Sequence, residues 1–289
     1  MGEQVSALGR INVAPADTQR RERVGQPARR AVLIGSLGWS LVNFRLDLMR
    51  RLQSNGYEVV ALAADVDSEV AATLREHGIR YRRIPMDRTG TNPLRDLRSL
   101  LALVKVLRSE APDLVIAYTM KPILYGCLAA QINRVPARYA LFTGLGYGFM
   151  EDQPRGRRRR VRDVTVLLHR LALRRITAAF CYNSADRSDI RRFRLIPDRI
   201  PLYDLRGSGV DTRRYVPAAL PEGPVRFLFV GRLLQSKGLG VLAEASERLK
   251  ARGKRFEVQV LGPTDENPDA VTPDTLAAWQ SRGLLTWLG

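Results

Sequence analysis

From residue 31 onward the chain alternates short apolar runs with longer stretches in which apolar residues recur every three or four positions. That alternation marks parallel strands joined by crossover helices. A buried parallel strand is apolar on both faces, whereas a helix laid on a sheet is apolar along one stripe. The runs predict strands over 31–34, 58–63, 80–84, 114–118, 139–142 and 178–182, with helices over 42–54, 66–77, 94–109, 123–133, 157–175 and 185–193. Together they make one complete doubly wound α/β domain over 31–205. A linker bearing Gly and Pro follows over 206–223, and the pattern restarts with strand 226–230, helix 239–252, strand 257–261, helix 274–280 and strand 285–288. This second unit, 224–289, is a βαβαβ stretch, one half of what a full doubly wound domain contains. The other half is missing, so the chain is expected to be C-terminally truncated.

The first thirty residues are polar, carry Pro15, Pro27 and the Arg20, Arg21, Arg23 cluster, and lack the apolar core of a signal peptide, so 1–30 is expected to be a disordered tail. No run has the roughly 18 apolar residues that a spanning helix needs. The protein is therefore expected in the cytoplasm, peripheral to the inner face of the plasma membrane. Cys127 and Cys181 each sit among apolar residues and read as reduced core thiols. His77 and His169 have no ligand-spaced companions, so no metal is expected.

Lys and Arg number 47 against 29 Asp and Glu, a net charge of +18, which calls for an anionic partner. Nucleic acid is disfavoured, because no recognition helix, RNA-binding sheet signature or interleaved aromatics accompany the charge. The densest basic stretch holds Arg157, Arg158, Arg159, Arg160 and Arg162, and Val161, Val164, Leu168 and Leu171 recur through it at helical spacing. Two readings remain open for that stripe. It packs on the sheet and leaves the arginines solvated, or it lies on an anionic membrane surface with its arginines as lipid ligands.

In the second unit, Gly231-Arg232 ends an apolar strand and Lys237-Gly238 precedes a helix. A strand's carboxyl end feeding a helix N-terminus is an anion site by geometry, and two cations there bracket a diphosphate well. Ordinary exposed loop cations are the alternative. In the first unit, Gly35-Ser36-Leu37-Gly38 is not a Gly-x-Gly-x-x-Gly fingerprint, which argues against a dinucleotide dehydrogenase.

The segment Phe229-Val230-Gly231-Arg232-Leu233 with Lys237-Gly238, preceded by Gly207-Ser208-Gly209-Val210-Asp211, resembles the donor-site signature of glycosyltransferase family four. Asn43-Phe44-Arg45, Thr119-Met120-Lys121-Pro122 with Tyr125-Gly126, and Thr143-Gly144-Leu145-Gly146-Tyr147 resemble the branch that extends lipid-diphosphate-linked sugars. The resemblance implies two Rossmann-like domains facing a cleft and a retaining transferase that uses a nucleotide sugar, UDP-linked, without a metal or other cofactor. It implies that Arg232 and Lys237, with Gly231 and Gly238, hold the donor diphosphate. It also implies that Asn43, Arg45, Lys121, Tyr125, Gly144, Gly146 and Tyr147 face a polyprenyl-diphosphate-linked acceptor. In the family a glutamate pair past the point equivalent to Gly289 completes the donor site, so the donor site of this chain is expected to be incomplete. Alternatives are a non-catalytic acceptor- or membrane-binding subunit, one piece of a split enzyme, and a nucleotide-sugar epimerase.

Overall fold

A computed structural model describes residues 29–65, 67–87, 92–145, 156–265 and 269–289. Most of the predicted tail therefore lies outside the described residues. The chain forms two compact units, one through Asp211 and one from Thr212. The division falls inside the predicted linker.

The first unit holds β1 (Arg29–Ile34), α1 (Gly38–Ser54), β2 (Tyr57–Ala63), α2 (Ser68–Glu76), β3 (Arg80–Arg83), α3 (Pro93–Glu110) and β4 (Leu114–Tyr118). After these come α4 (Met120–Ile132), β5 (Ala137–Phe142), α5 (Gly156–Leu173), β6 (Ala178–Cys181), α6 (Ser184–Arg192) and β7 (Leu202–Asp204). All strands are parallel, in the order β3-β2-β1-β4-β5-β6-β7. Period-two alternation sorts each strand's side chains onto two faces. Val32, Ile34, Val115 and Ala117 pack under α3, α4 and α5, while Ala31, Leu33, Val59 and Ala61 pack under α1 and α2.

Three of the departures from expectation have tertiary reasons. β1 begins at Arg29, inside the predicted tail, because the Arg30 backbone N–H donates to Asp113 Oδ2 at 2.7 Å and its guanidinium pairs with Glu58 at 2.8 Å and Glu110 at 3.5 Å. α1 starts at Gly38 rather than 42, because Asp65, beyond β2, accepts the Gly38 N–H at 2.7 Å and acts as a remote cap. A Cβ on Gly38 would stand 2.7 Å from the Tyr81 hydroxyl, so only glycine lets the helix begin there. β7 is an unforeseen edge strand, too short to show a pattern. Arg187 holds it by pairing with Asp204 at 2.8 Å and donating to Leu202 O at 2.6 Å.

The second unit holds β8 (Val225–Val230), α7 (Leu239–Ala251), β9 (Phe256–Leu261), α8 (Pro273–Ser281) and β10 (Thr286–Trp287), with parallel strand order β10-β9-β8. Its core gathers Leu233, Leu239, Val258, Val260, Leu276 and Leu285. β8 is the sheet edge, and its Val225, Phe227, Leu228 and Val230 are exposed.

Candidate active site

In open α/β sheets, ligands bind beyond the carboxyl ends of the strands where the strand order reverses. In the first unit that point lies between β1 and β4. Gly35 follows β1, and a Cβ there would lie 2.3 Å from the Tyr118 hydroxyl, so the turn must be glycine. The Ser36 and Thr119 hydroxyls share a hydrogen bond of 2.6 Å across the two strand ends. Thr119 holds φ 67 and ψ 155, a conformation that costs a β-branched residue about 1–3 kcal/mol. The Tyr118 hydroxyl meets Ser40 Oγ at 2.8 Å, and burial pushes its pKa up to about 12, which keeps it a neutral phenol.

Beside this corner, Lys121 in the first turn of α4 pairs with Asp96 of α3 at 2.8 Å, and both are largely buried. Tyr125, one turn on, is raised well above the ordinary phenol range by burial and by the neighbouring Asp96. Lys121 is therefore a neutralised, positioned cation rather than a free one. Asp96 is a member of this cluster that the sequence did not single out, because it meets Lys121 only through the packing of α3 on α4. Gly144 after β5 has φ 124 with open space where a Cβ would stand. Asp186 of α6 accepts from the backbone of the adjacent Leu145, and its pKa is raised by burial. Gly146 and Tyr147 lie outside the described residues.

Asn43 and Arg45, expected to face the acceptor, lie in the second turn of α1. Asn43 donates to Trp39 O of its own helix at 2.9 Å. Arg45 is 4% exposed, with its guanidinium 4.7 Å from the Tyr118 ring centroid and its Nη1 donating to Ser208 Oγ at 2.9 Å. The Tyr182 hydroxyl meets the same Ser208 at 3.0 Å. Arg45 thus pins the start of the linker to the first unit, and its geometry does not carry an acceptor contact. A side chain buried between two aromatic rings and a distant serine leaves no trace in local sequence.

In the second unit, β8 ends at Gly231. A Cβ on Gly262, after β9, would lie 2.0 Å from Gly231 O, so the two strand ends close together only as glycines. Arg232 is about half exposed and pairs with Asp265 at 2.8 Å. A short 3-10 turn, Gln235–Lys237, leads to Gly238 at φ 82, the left-handed residue that admits the chain into α7. Lys237 stands exposed on that turn with no acidic partner among the described residues.

In α5 the predicted apolar stripe is not the face that packs on the sheet. Val166, His169, Ala172 and Leu173 form its buried face, while Val164, Leu167, Leu168 and Leu171 are exposed. The predicted stripe therefore faces outward, with Arg159 and Arg160 exposed near its start. Arg162 is a correction: its side chain is 13% exposed and lies over the Phe193 ring, so it is withdrawn from any surface ligand. The side chains of Arg157 and Arg158 lie outside the described ones. His169 is a core histidine whose ring nitrogens face Thr165 O at 2.8 Å and Met120 O at 3.3 Å, and burial lowers its pKa. Among the described residues no cluster of three or more His, Cys, Asp or Glu side chains could hold a metal. No described helix is long and apolar enough to cross a membrane.

The sequence model of the Glycosyl transferase 4-like domain family matches residues 42–202, more than half of the chain. This chain belongs to that family. The family's match begins within α1 and ends at the first residue of β7, and so takes in β4, the α4 side of the β1–β4 corner and α5. Among curated proteins, the chain is 24% identical over 266 residues to the N,N'-diacetylbacillosaminyl-diphospho-undecaprenol α-1,3-N-acetylgalactosaminyltransferase of Campylobacter jejuni, covering 87% of this chain and 67% of that one. It is 26% identical over 166 residues to the UDP-Gal:α-D-GlcNAc-diphosphoundecaprenol α-1,3-galactosyltransferase of Escherichia coli, covering 53% of this chain and 41% of that one. Both relatives are glycosyltransferases acting on undecaprenol-diphosphate-linked sugars.

Solved structures confirm the fold across both units. Sucrose-phosphate synthase from Thermosynechococcus elongatus superposes with a TM-score of 0.64 at 14% identity, covering 90% of this chain and 70% of that one. UDP-N-acetylglucosamine 2-epimerase from Rickettsia bellii superposes with a TM-score of 0.53 at 12% identity, covering 91% and 69%. Transferases and epimerases share this architecture, so the fold alone does not choose between them.

Proposed function

We propose that this family member works as a retaining glycosyltransferase that moves a sugar from a UDP-linked donor to a saccharide on a polyprenyl diphosphate. The β8–α7 turn carries the reading. It presents Lys237, unpaired among the described residues, and the half-exposed Arg232 beside a helix N-terminus, which suits a diphosphate. The lipid-linked acceptor is supported by the relatives, both of which act on undecaprenol-diphosphate-linked sugars.

In the transfer, the bond between the anomeric carbon and the β-phosphate oxygen breaks and the acceptor hydroxyl oxygen bonds to that carbon on the same face. The hydroxyl proton passes to the departing phosphate oxygen. Negative charge grows on the leaving diphosphate, and Arg232 and Lys237 stabilise it there, the task a metal ion performs in other phosphate-leaving reactions. In the first unit, the Ser36 and Thr119 hydroxyls and the Asp96–Lys121–Tyr125 cluster supply donors and acceptors for acceptor sugar hydroxyls. The exposed apolar and basic face of α5 rests on an anionic membrane surface, where such an acceptor resides.

The test is sugar transfer onto a reconstituted lipid-linked acceptor with no divalent metal added. Lys237→Ala is expected to lower turnover by about 10²-fold or more, the scale of losing one charge-stabilising group. Unchanged turnover in that variant removes the role assigned to Lys237.

A further inference from the structure

α3 should be apolar along its inner stripe and polar outside. Its inner stripe is as expected, with Ser99, Leu103 and Leu107 buried. Its outer side is not, because Leu94, Leu97 and Leu101 are 79%, 51% and 59% exposed. Spaced three and four residues apart, they stand in line along the helix and, with Pro85 and Ala102, line an open trough of 520 Å³. Arg98 flanks them, and Lys105 and Arg108 continue the same side toward the helix end. Among the described residues none of these three cations makes an ion pair, whereas both acids of α3 are engaged, Asp96 with Lys121 and Glu110 with Arg30, Arg80 and Arg82.

α3 packs beside α4 and α4 beside α5, all on one face of the sheet. α4 is buried nearly all round, and only Met120, Lys121, Tyr125 and Leu128 break its surface before its last turn. α3 and α5 thus flank a recessed helix as two ridges, about 18 Å apart at ordinary helix spacing. Both ridges carry exposed leucines and exposed cations.

We propose that the outward face of α3 is a second lipid-contact surface, which with α5 seats the first unit on an anionic bilayer. The inference rests on the membrane reading of α5 given above. Leucines at this exposure enter the headgroup boundary and the cations meet anionic headgroups, so one surface satisfies both. A second copy of the chain fits less well, because two-fold pairing through this face sets Arg98, Lys105 and Arg108 against their own counterparts. The apolar end of α3 is its N-terminal end, beside Asp96 and Lys121. The bilayer contact therefore lies next to the proposed acceptor corner.

The experiment places an environment-sensitive fluorophore at Leu97→Cys. Native Cys127 and Cys181 are buried and their thiols are pushed up to about 12, so the introduced cysteine labels selectively. Parallel probes are Val164→Cys on α5 and Ala72→Cys on α2, on the opposite face of the sheet. Vesicles of phosphatidylglycerol and phosphatidylethanolamine are added, with pure phosphatidylcholine as the uncharged comparison. A blue shift with about twofold brighter emission is expected at 97 and 164, and none at 72. The triple variant Leu94→Ser, Leu97→Ser, Leu101→Ser is expected to partition onto the anionic vesicles about tenfold more weakly. If it does not fold, the labelled single variants decide alone. A response at 164 with silence at 97 overturns the role of α3 and leaves the α5 reading standing. Silence at both overturns the two together, and a response at 97 to protein concentration without vesicles assigns the face to a second copy instead.

Discussion

Thr119 holds the one backbone conformation in the candidate site that its side chain resists, and the strain can be measured. At φ 67 and ψ 155 the position belongs to a region populated essentially by glycine, with a cost of about 1–3 kcal/mol for other residues. Thr119→Gly releases that cost. It also removes the 2.6 Å hydroxyl contact with Ser36, about 1 kcal/mol, and adds about 0.5–1 kcal/mol of unfolded-state freedom. The three terms nearly cancel, and Thr119→Gly is expected to be as stable as the wild type within about 1 kcal/mol. Thr119→Ala loses the same hydroxyl and keeps the strain, so the glycine variant should be the more stable of the two by about 1 kcal/mol, or some 2–4 °C in midpoint for a unit of this size. Urea unfolding of the two variants, followed by tryptophan fluorescence and circular dichroism, reads the difference. Both variants are expected to lose transferase turnover, since each removes the hydroxyl from the β1–β4 corner. An alanine variant that equals or exceeds the glycine variant in stability would falsify the strain assignment, whatever happens to activity.

Asp265→Asn frees Arg232 from its 2.8 Å ion pair, and UDP binding measured by calorimetry should tighten about 2–5-fold, a modest gain because Arg232 is half solvent-exposed; weakened binding refutes the competition. Gly262→Ala forces a methyl into Gly231 O, and the second unit should lose about 2 kcal/mol or more together with amide protection of β8 in hydrogen exchange; unaltered protection shows that the strand ends can part freely. Glu58 is held below the ordinary carboxylate value, mainly by its hydrogen bond from Arg30. Glu110 is pushed upward by burial but lowered on balance by Arg82 and Arg80. A lowered folded-state pKa contributes stability above the ordinary value of 4.5 that is lost as pH falls through the folded value, so the first unit should lose stability steeply below about pH 4.5. Glu110→Gln should cost about 2–3 kcal/mol at pH 7 and flatten that acid limb; an unchanged limb places the titration elsewhere.

Much of the architecture is written along the chain because it depends on local period. Apolar runs and three-to-four spacing locate the central strands and helices to within a few residues, and the glycines around Arg232 and Lys237 mark a strand-to-helix turn. The family was legible in the same way, since its motifs sit on loops fixed by that alternation. What the sequence did not show are contacts between residues far apart in it. Asp65 starts α1 from across β2, Arg30 joins β1 by reaching Glu58 and Glu110, and Asp96 neutralises Lys121. Arg45, an apparent ligand by motif, is packed between Tyr118 and Ser208. The direction of the α5 stripe was undecidable from spacing, because an apolar stripe has the same period whether it meets a sheet or a membrane. Only packing decided it: the sheet took Val166, His169, Ala172 and Leu173, and left the leucines beside the arginines.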